Sequence, residues 1–432
     1  MVITKKGLVL GTTAVALSTV AVTGAGIHLS QSSQAFIRSG PKETIDEVWQ
    51  IINHQYVDGT FNDTDWLKVR QEYINNASYE NQEDAYEAIR EMLAKLDDPY
   101  TRFMNPEEYQ NMRIDTSGEL TGVGIQIAKD EETKKLVVIS PIEDTPAFEA
   151  GILAQDIIVK IDGKDTTGME VNDAVKLIRG ERGSKVTLTI ERQGNLSDYD
   201  IVRERIEIHP VRASVQDSEL GKIGYIRLTT FNEHAAKDMQ KAIKEQEQQQ
   251  VVGYVLDLRS NPGGLLYSSI NIARMWIDEG TIVSTVDRKG ISDRELAKNK
   301  ALTNKPLVVL VNEGSASASE ILSGALQDNQ RATLLGTTTF GKGLVQSVRS
   351  LGDGSGLAVT IAKYLTPSGR DINKEGIPPD VLVELTDEEL QELYGGDRSK
   401  LGTTEDPQFS KALDILDQDI KAQKALEPQA AK

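Results

Sequence analysis

The chain has 432 residues and carries 48 Lys and Arg against 66 Asp and Glu, a formal net charge of −18 at pH 7. This length suits two to four domains of ~100–200 residues each. The negative surface repels a phosphate backbone, so nucleic acid is not expected as a partner, and the absence of cysteine excludes a thiol nucleophile, a disulfide framework and a thiolate metal site.

The first 40 residues have the pattern of an export signal and are set apart from the folded domains. Lys5 and Lys6 precede an uncharged run over residues 7–26, which is the order of the basic and apolar regions in such signals. Small residues at Ser33 and Ala35 would allow cleavage before Phe36. A run of ~20 uncharged residues would also serve as an uncleaved membrane anchor. The sequence therefore predicts export and leaves cleavage or anchoring open.

Residues 41–111 are predicted to form a helical region that packs on the α/β core formed later in the chain. Thr44 and Glu47 match a capping box, and a second helix is predicted over 83–96, because Pro99 disfavours its continuation. We assign no chemistry to these helices or to the polar connector 98–103. The apolar face of the first helix consists of Ile45, Val48, Trp49, Ile52 and Tyr56.

In residues 112–208 the sequence pattern changes from helical periodicity to short β-like runs broken by Gly and Asp. We predict strands over 136–139, 157–161 and 186–190, a turn at Asp162-Gly163 and an amphipathic helix over 171–179. The order of motifs resembles a PDZ domain: Gly122-Val123-Gly124-Ile125, then 146–152, 156–163 and 178–180.

The resemblance to a PDZ domain implies that this stretch binds peptides. Backbone amides of its glycine-rich turn would converge on a terminal carboxylate, while the next strand pairs with an extended peptide. The alternative for Gly122 and Gly124 is a β-turn without a ligand. The predicted peptide-binding residues are Gly122, Val123, Gly124, Ile125, Val175 and Ile178.

Residues 209–395 alternate strands and helices and predict an α/β core. Strands are predicted over 223–228, 251–258 and 307–311. Helices are predicted over 235–246, 265–277 and 317–326. The loops that follow buried strands contain glycine, and α/β proteins gather their sites at such strand ends.

Ser317 and Lys342 are the candidate nucleophile and base of this core. The helix N-terminus at Ser317 favours developing negative charge, and the N–H groups of Ala318 and Gly263 are candidate oxyanion donors. Lys342 is a base only if its pKa falls from ~10.4 toward ~7–8 by desolvation. Gln346 shares a face with Lys342 in either a strand or a helix and can orient its amine.

The residues alone leave non-catalytic roles open for these side chains. Helix capping is an alternative role for each of Ser315, Ser317 and Ser319. A solvent-facing loop is the alternative for Gly341-Lys342-Gly343. The four histidines, at 28, 54, 209 and 234, stand without metal-binding spacing. Their scarcity weakens both a zinc hydrolase and a Ser-His-Asp hydrolase, although it does not formally exclude a triad.

Motifs over residues 41–390 resemble the carboxyl-terminal processing peptidases, also called tail-specific proteases. This resemblance implies Ser317 as nucleophile, Lys342 as base with Gln346 orienting it, and the N–H groups of Gly263 and Ala318 as oxyanion donors. It also implies a ClpP- or crotonase-like core into which the PDZ domain is inserted. In that family a PDZ arginine can reach the catalytic domain, which makes Arg179 a regulatory candidate. The matching motifs are 259–264, 312–320, 340–343 with Gln346, and 364–370.

Residues 396–432 are predicted to be a tail with an amphipathic helix after Asp406-Pro407. Docking on the core, self-association and fraying are the alternatives for its apolar face. The residues of that face are Phe409, Leu413, Leu416 and Ile420.

The sequence thus predicts an exported serine endopeptidase that binds the free C-terminus of protein substrates and cuts near that end. It requires no metal or cofactor. The family suggests a periplasm or a thylakoid lumen, with membrane association only through the N-terminal segment. One alternative is a catalytically inactive PDZ scaffold or holdase. Another is an HtrA-like protease, but residues 41–110 contain no chymotrypsin-type domain. The substrate, the oligomeric state and the sense of any PDZ regulation stay open.

Overall fold

The computed structural model describes residues 40–430 apart from residues 76, 131–132, 220 and 395–398. The predicted export segment lies outside the described residues except for Gly40. Two compact units divide the chain: one comprises the part up to Asn111 and the part from Pro210 onward, and the other is Met112–His209. Within the described part of the chain, no helix has the length and apolar character to cross a membrane.

The N-terminal region is helical as predicted, but its first helix starts earlier than the capping-box pattern indicated. Helix α1 begins at Pro41, so Thr44 lies buried inside its first turn and does not cap it. Proline suits this position because the first helical N–H groups have no intrahelical acceptor. Asn81 caps α3 by accepting the N–H groups of Glu83 and Asp84. The elements are α1 Pro41–Gln55, α2 Trp66–Arg70, a π-helical turn Gln71–Asn75 and α3 Gln82–Ala94.

These helices share a buried core with the strand that follows them and with a strand from a distant part of the chain. The Trp49 and Trp66 rings stack with centroids 6.4 Å apart, and each indole N–H donates to the backbone carbonyl of the other residue. Phe103 of strand β1, Arg102–Met104, and Leu357 belong to the same buried cluster. The connector between α3 and β1 is thereby held close to the strand that contains Leu357.

The second unit is built around a five-stranded antiparallel path, β3-β4-β5-β7-β8. Strand β3 is an edge of that path, so one side of its backbone is open to an added strand. Helix α6 starts and ends within one residue of its prediction. Helix α4, Pro106–Ser117, leads into the unit. The other elements are β2 Glu119–Gly122, β3 Ile125–Lys129, β4 Leu136–Pro141, α5 Pro146–Glu149, β5 Ile157–Ile161, β6 Lys164–Asp165, α6 Val171–Ile178, β7 Lys185–Arg192, β8 Asn195–Val202 and β9 Glu204–Glu207.

The core of the first unit is a six-stranded sheet in the order β10-β11-β12-β15-β16-β19. All its pairs are parallel except β10 with β11. Helices α7, α8 and α9 supply the crossovers. The elements are β10 Val211–Ser218, β11 Gly221–Leu228, α7 Ala235–Gln248, β12 Gly253–Asp257, α8 Leu266–Trp276, β15 Leu307–Val311, α9 Ala318–Asp328, β16 Thr333–Gly336 and β19 Val381–Leu382.

A second sheet of this unit carries the residues that follow the candidate base. Its path is β1-β18-β13-β14, and β17 also pairs with β18. Its remaining strands are β13 Thr281–Asp287, β14 Gly290–Leu296, β17 Leu344–Ser350 and β18 Gly356–Leu365.

The C-terminal helix is part of the core. Alternate residues of β15 belong to two clusters: Val309 faces the crossover helices, whereas Val308 lies in a cluster with Phe409 and Leu416. Those two residues belong to α11, Pro407–Ala430, which follows α10, Asp387–Tyr394. Of the three alternatives for this apolar face, the structure shows docking. A sheet of parallel strands is buried on both sides, and α11 covers the side that the crossovers leave open.

Candidate active site

The three serines of the turn between β15 and α9 differ in their hydrogen bonds. Ser315 Oγ donates to the Leu258 carbonyl over 2.8 Å, and Ser319 Oγ donates to the Asn261 carbonyl over 2.8 Å. Ser317 Oγ is buried and has no hydrogen-bond partner among the described residues. The first two hydroxyls fasten the turn to the neighbouring loop, and the third makes no such bond.

Ser317 occupies the N-cap position of α9 in a backbone conformation that serine rarely adopts. Its φ is 53° and its ψ is −110°, which is outside the regions allowed to a residue with a Cβ. The Ser317 N–H donates to Glu320 Oε2 over 2.7 Å, and the Glu320 N–H donates back to the Ser317 carbonyl. These reciprocal bonds hold the strained residue in place.

Lys342 has the environment that a neutral amine requires. Its side chain is 4 % exposed, and its Nζ lies 4.7 Å from the centroid of the Tyr100 ring. Burial, aided by the positive charge of Arg102, lowers the pKa of Lys342 to about 8, while Asp98 and Glu320 oppose this shift. With this pKa about a tenth of the lysine amine is neutral at pH 7 and about half is neutral at pH 8.

Glu320 connects the turn of Ser317 to the segment of Lys342. Its carboxylate accepts the Ser317 and Lys342 N–H groups at Oε2, and the Thr339 hydroxyl and Gly341 N–H at Oε1, over 2.6–2.9 Å. Burial raises the pKa of Glu320, and the donated hydrogen bonds oppose that rise. One buried side chain thus fixes the backbone of both candidate catalytic residues.

Tyr364 makes a second bridge between the same two residues. Its hydroxyl lies 2.5 Å from the Lys342 carbonyl oxygen and 3.2 Å from the Ser317 carbonyl oxygen. Burial, with the Glu320 charge nearby, raises the pKa of Tyr364 well above its ordinary value. The phenol therefore stays a neutral donor at any working pH.

Gln346, like Lys342, is buried. It pairs with Thr360 across β17 and β18 at a β-bulge. Its Nε2 is 3.4 Å from Thr360 Oγ1, and its Oε1 has no partner among the described residues. The amide therefore presents an unused acceptor, which is what an orienting partner for an amine needs.

The two candidate oxyanion donors, the N–H groups of Ala318 and Gly263, differ in their hydrogen bonding. No described residue accepts the Ala318 N–H, which points out of the first turn of α9. The Gly263 N–H donates to Asn261 Oδ1 over 2.9 Å. Gly263 has a φ of 103°, and a Cβ added to it would lie 2.6 Å from the Ala316 carbonyl oxygen and 3.0 Å from Ser317 Cβ. Only glycine allows this approach to the nucleophile.

The candidate peptide site of the second unit is a groove between β3 and α6. Gly124 takes a φ of 83°, and a Cβ on it would meet Thr145 Oγ1 at 2.3 Å. The groove continues to Ile142 and to Arg179 at the end of α6. All six predicted peptide-binding residues line this groove: Gly122, Val123, Gly124, Ile125, Val175 and Ile178.

The sequence analysis missed several residues that surround the dyad. It gave Glu320 and Tyr364 no role, although both stand inside motifs that it quoted. No chemistry was predicted for residues 98–103, which supply Asp98, Tyr100 and Arg102 to the surroundings of Lys342. The dipeptide Asp98-Pro99 was visible as a helix stop, but nothing local indicated where the following side chains would point.

Comparisons with known proteins give the class to which the chain belongs. The sequence profile of peptidase family S41 matches residues 222–383, and a PDZ-domain profile matches residues 137–192. Together the profiles define a peptidase that carries a PDZ domain.

The similarity to individual proteins narrows this class. The chain is 45 % identical over 396 residues to the carboxyl-terminal-processing protease of Synechocystis sp., covering 91 % of each chain. It is 42 % identical to the chloroplastic carboxyl-terminal-processing peptidase 3 of Arabidopsis thaliana, covering 79 % of this chain and 68 % of that one. The solved photosystem II D1 C-terminal processing protease matches with 39 % identity and a TM-score of 0.54, over 84 % of this chain and 99 % of that chain. The chain belongs to the carboxyl-terminal-processing proteases of peptidase family S41.

Proposed function

We propose that this protein is an exported serine endopeptidase that binds the free C-terminus of a protein substrate through its PDZ domain and cleaves near that end. Ser317 attacks the scissile carbonyl, and Lys342 takes its proton. The scissile C–N bond then breaks, the Lys342 ammonium returns the proton to the leaving amine, and an acyl-enzyme remains on Ser317. Water, deprotonated by Lys342, hydrolyses this ester and restores the Ser317 hydroxyl. The observation that carries this proposal is the buried, unpartnered hydroxyl of Ser317, joined through Glu320 and Tyr364 to a buried lysine.

The proposal also includes roles for the residues around the dyad. The Ala318 N–H is available for the oxyanion of the tetrahedral intermediate. The Gly263 N–H is the second donor once it is shared with or released from Asn261. Gln346 Oε1 accepts a hydrogen bond from the lysine amine and stabilises the ammonium that forms.

We propose that the C-terminus of the substrate binds in the groove beside α6. Its glycine-rich turn and open strand edge suit a terminal carboxylate followed by extended backbone, while Val175 and Ile178 form an apolar pocket for the last side chain. The relatives suggest the precursor of a photosystem protein in a thylakoid lumen or periplasm. The N-terminal segment would direct the chain there.

The dyad is tested by steady-state cleavage of an unstructured protein with a free C-terminus. We expect Ser317→Ala to abolish cleavage and Lys342→Ala to lower kcat by ~10²–10⁴-fold, the usual contribution of a general base. Ser315→Ala and Ser319→Ala are the controls and should retain cleavage, since both hydroxyls are already bonded to backbone groups. Wild-type cleavage by Ser317→Ala would refute the assignment.

The groove is tested separately with Gly124→Ala. The added methyl meets Thr145, so we expect weaker binding of a peptide with a free C-terminus. Gly163→Ala is the matched control, because Gly163 has a similar φ of 78° but open space around its Cα. Equal affinity of both variants for this peptide would contradict the groove assignment. If wild type binds C-termini and never cleaves them, the inactive scaffold is the better description.

A further inference from the structure

The orientation of the Gln346 amide has a physical cause in residues that the proposed dyad does not include. Gln346 is buried, and its two amide ends differ: Nε2 faces Thr360 Oγ1, while Oε1 has no partner among the described residues. A buried amide oxygen without a donor is uncommon in proteins. Some other contact must therefore decide which end faces Thr360.

That contact is the hydrogen bond between Thr360 and Asp98. Thr360 Oγ1 lies 2.7 Å from Asp98 Oδ2. A carboxylate has no proton to donate, so the single hydroxyl proton of Thr360 goes to Asp98. Thr360 Oγ1 can then only accept from Gln346. The NH₂ end of the amide must face Thr360, and the carbonyl end must face the other way.

Asp98 is itself fixed by the connector between α3 and β1. Its Oδ1 accepts the Tyr100 N–H over 2.9 Å, and its Oδ2 accepts the Thr101 hydroxyl over 2.7 Å. Thr101 Oγ1 in turn accepts the Thr360 N–H over 3.0 Å. The carboxylate is therefore held by the same short segment whose Tyr100 ring lies against the Lys342 amine.

We propose that Asp98 and Thr360 are positioning residues that hold Gln346 with its carbonyl oxygen toward Lys342. The proposal rests on the Ser/Lys function proposed above and extends it. A lysine that has accepted the serine proton carries three N–H donors and needs an acceptor in a buried pocket. Gln346 Oε1 meets that need without adding a permanent charge.

Reversing the chain of hydrogen bonds provides a sharp test. Asp98→Asn places an amide where the carboxylate was, and its NH₂ group can donate to Thr360. The Thr360 hydroxyl would then donate to Gln346 and turn the amide, so that NH₂ faces the lysine. Thr360→Val removes the acceptor altogether, whereas Thr360→Ser keeps it. Thr303→Val is a control, since Thr303 is a nearly buried threonine whose hydroxyl accepts the Lys305 N–H.

The readouts are kcat and KM on the unstructured substrate across pH, with thermal unfolding as a check on folding. We expect Thr360→Val to lower kcat about 10-fold or more with KM nearly unchanged, which indicates a loss confined to the reacting state. Loss of the acceptor also disfavours the ammonium, so the rise of activity with pH should move to lower pH. Asp98→Asn should lower kcat further and move this rise further, because it also removes a negative charge. Thr360→Ser and Thr303→Val should resemble wild type.

Wild-type kcat and an unshifted pH profile in Thr360→Val would overturn the proposal, as would equal damage in Thr360→Ser. If Thr360→Val does not fold, Asp98→Asn decides, and an unshifted profile there counts against the proposal. The charged groups around the amine are Arg102, Asp98 and Glu320, and Thr360→Val leaves all three unchanged. Failure of the dyad itself would show as cleavage by Lys342→Ala, so the two failures are distinguishable.

Discussion

Replacing Lys342 by methionine should stabilise the protein near neutral pH. Burial lowers the pKa of Lys342 from 10.5 to about 8, and each pKa unit corresponds to ~1.36 kcal/mol. Between these two values the unfolded chain binds more protons than the folded chain, so the free energy of unfolding rises with pH. Below pH 8 the buried ammonium thus costs about 3 kcal/mol, and near pH 10 only about 1 kcal/mol remains. Methionine has a similar shape and no charge to desolvate.

Urea unfolding of wild type and Lys342→Met at pH 7 and pH 10 measures this cost. We expect the variant to be more stable than wild type at pH 7 by about 2–3 kcal/mol, after allowance for imperfect packing of methionine, and the advantage to shrink by about 2 kcal/mol at pH 10. Comparing the two proteins at each pH cancels the titration of all other groups. An advantage that does not change with pH would refute the desolvated lysine, and with it the reason for its use as a base.

Three further predictions concern the supports and the pH dependence of the site. Glu320→Gln puts an NH₂ group against backbone donors and should lower both kcat and the melting temperature, measured against the exposed Glu313→Gln as control. Asp406→Asn should destabilise the fold by ~3–5 kcal/mol in urea, since it leaves the fully buried Arg259 guanidinium without one of its two carboxylates; the exposed Asp414→Asn should change little. Wild-type cleavage should rise with pH to a midpoint near the Lys342 pKa of about 8, and a flat rate from about pH 5 to about pH 9 would contradict a lysine base.

The fold was predictable where a short stretch of sequence is enough to indicate its secondary structure and burial. The continuous apolar run at β15 predicted a strand buried on both faces, and all five of its residues are buried. The S41 core, the helical N-terminal region and the PDZ domain are confirmed by profile and structural similarity. The predicted start of α1 was wrong. Thr44 and Glu47 match the capping-box pattern, but the helix already begins at Pro41, three residues before Thr44.

The surroundings of the site were not predictable because they depend on pairs far apart in the chain. Asp98 meets Thr360 across 262 residues, and Arg259 meets Asp406 across 147 residues. Local periodicity cannot indicate such contacts. Spacing suggested a serine of this turn together with Lys342, and only the family resemblance chose Ser317 among the three serines. Their hydrogen bonds, which distinguish Ser317 from Ser315 and Ser319, were not predictable from the sequence. Gln346 was proposed because its spacing from Lys342 places both side chains on one face of a strand or helix. The orientation of its amide, by contrast, depends on Asp98.

The unfavourable features of the core argue for a catalytic function over an inactive scaffold. Ser317 and Ser260 both have positive φ values, 53° and 56°, and such conformations cost ~1–3 kcal/mol each. Lys342 is buried with a lowered pKa, and Glu320 is buried with a raised one. Strained backbone and perturbed ionisable groups gather at functional sites, because only surrounding structure that over-determines them can hold them there. A protein that only bound C-termini would use the groove beside α6, which contains none of these four residues.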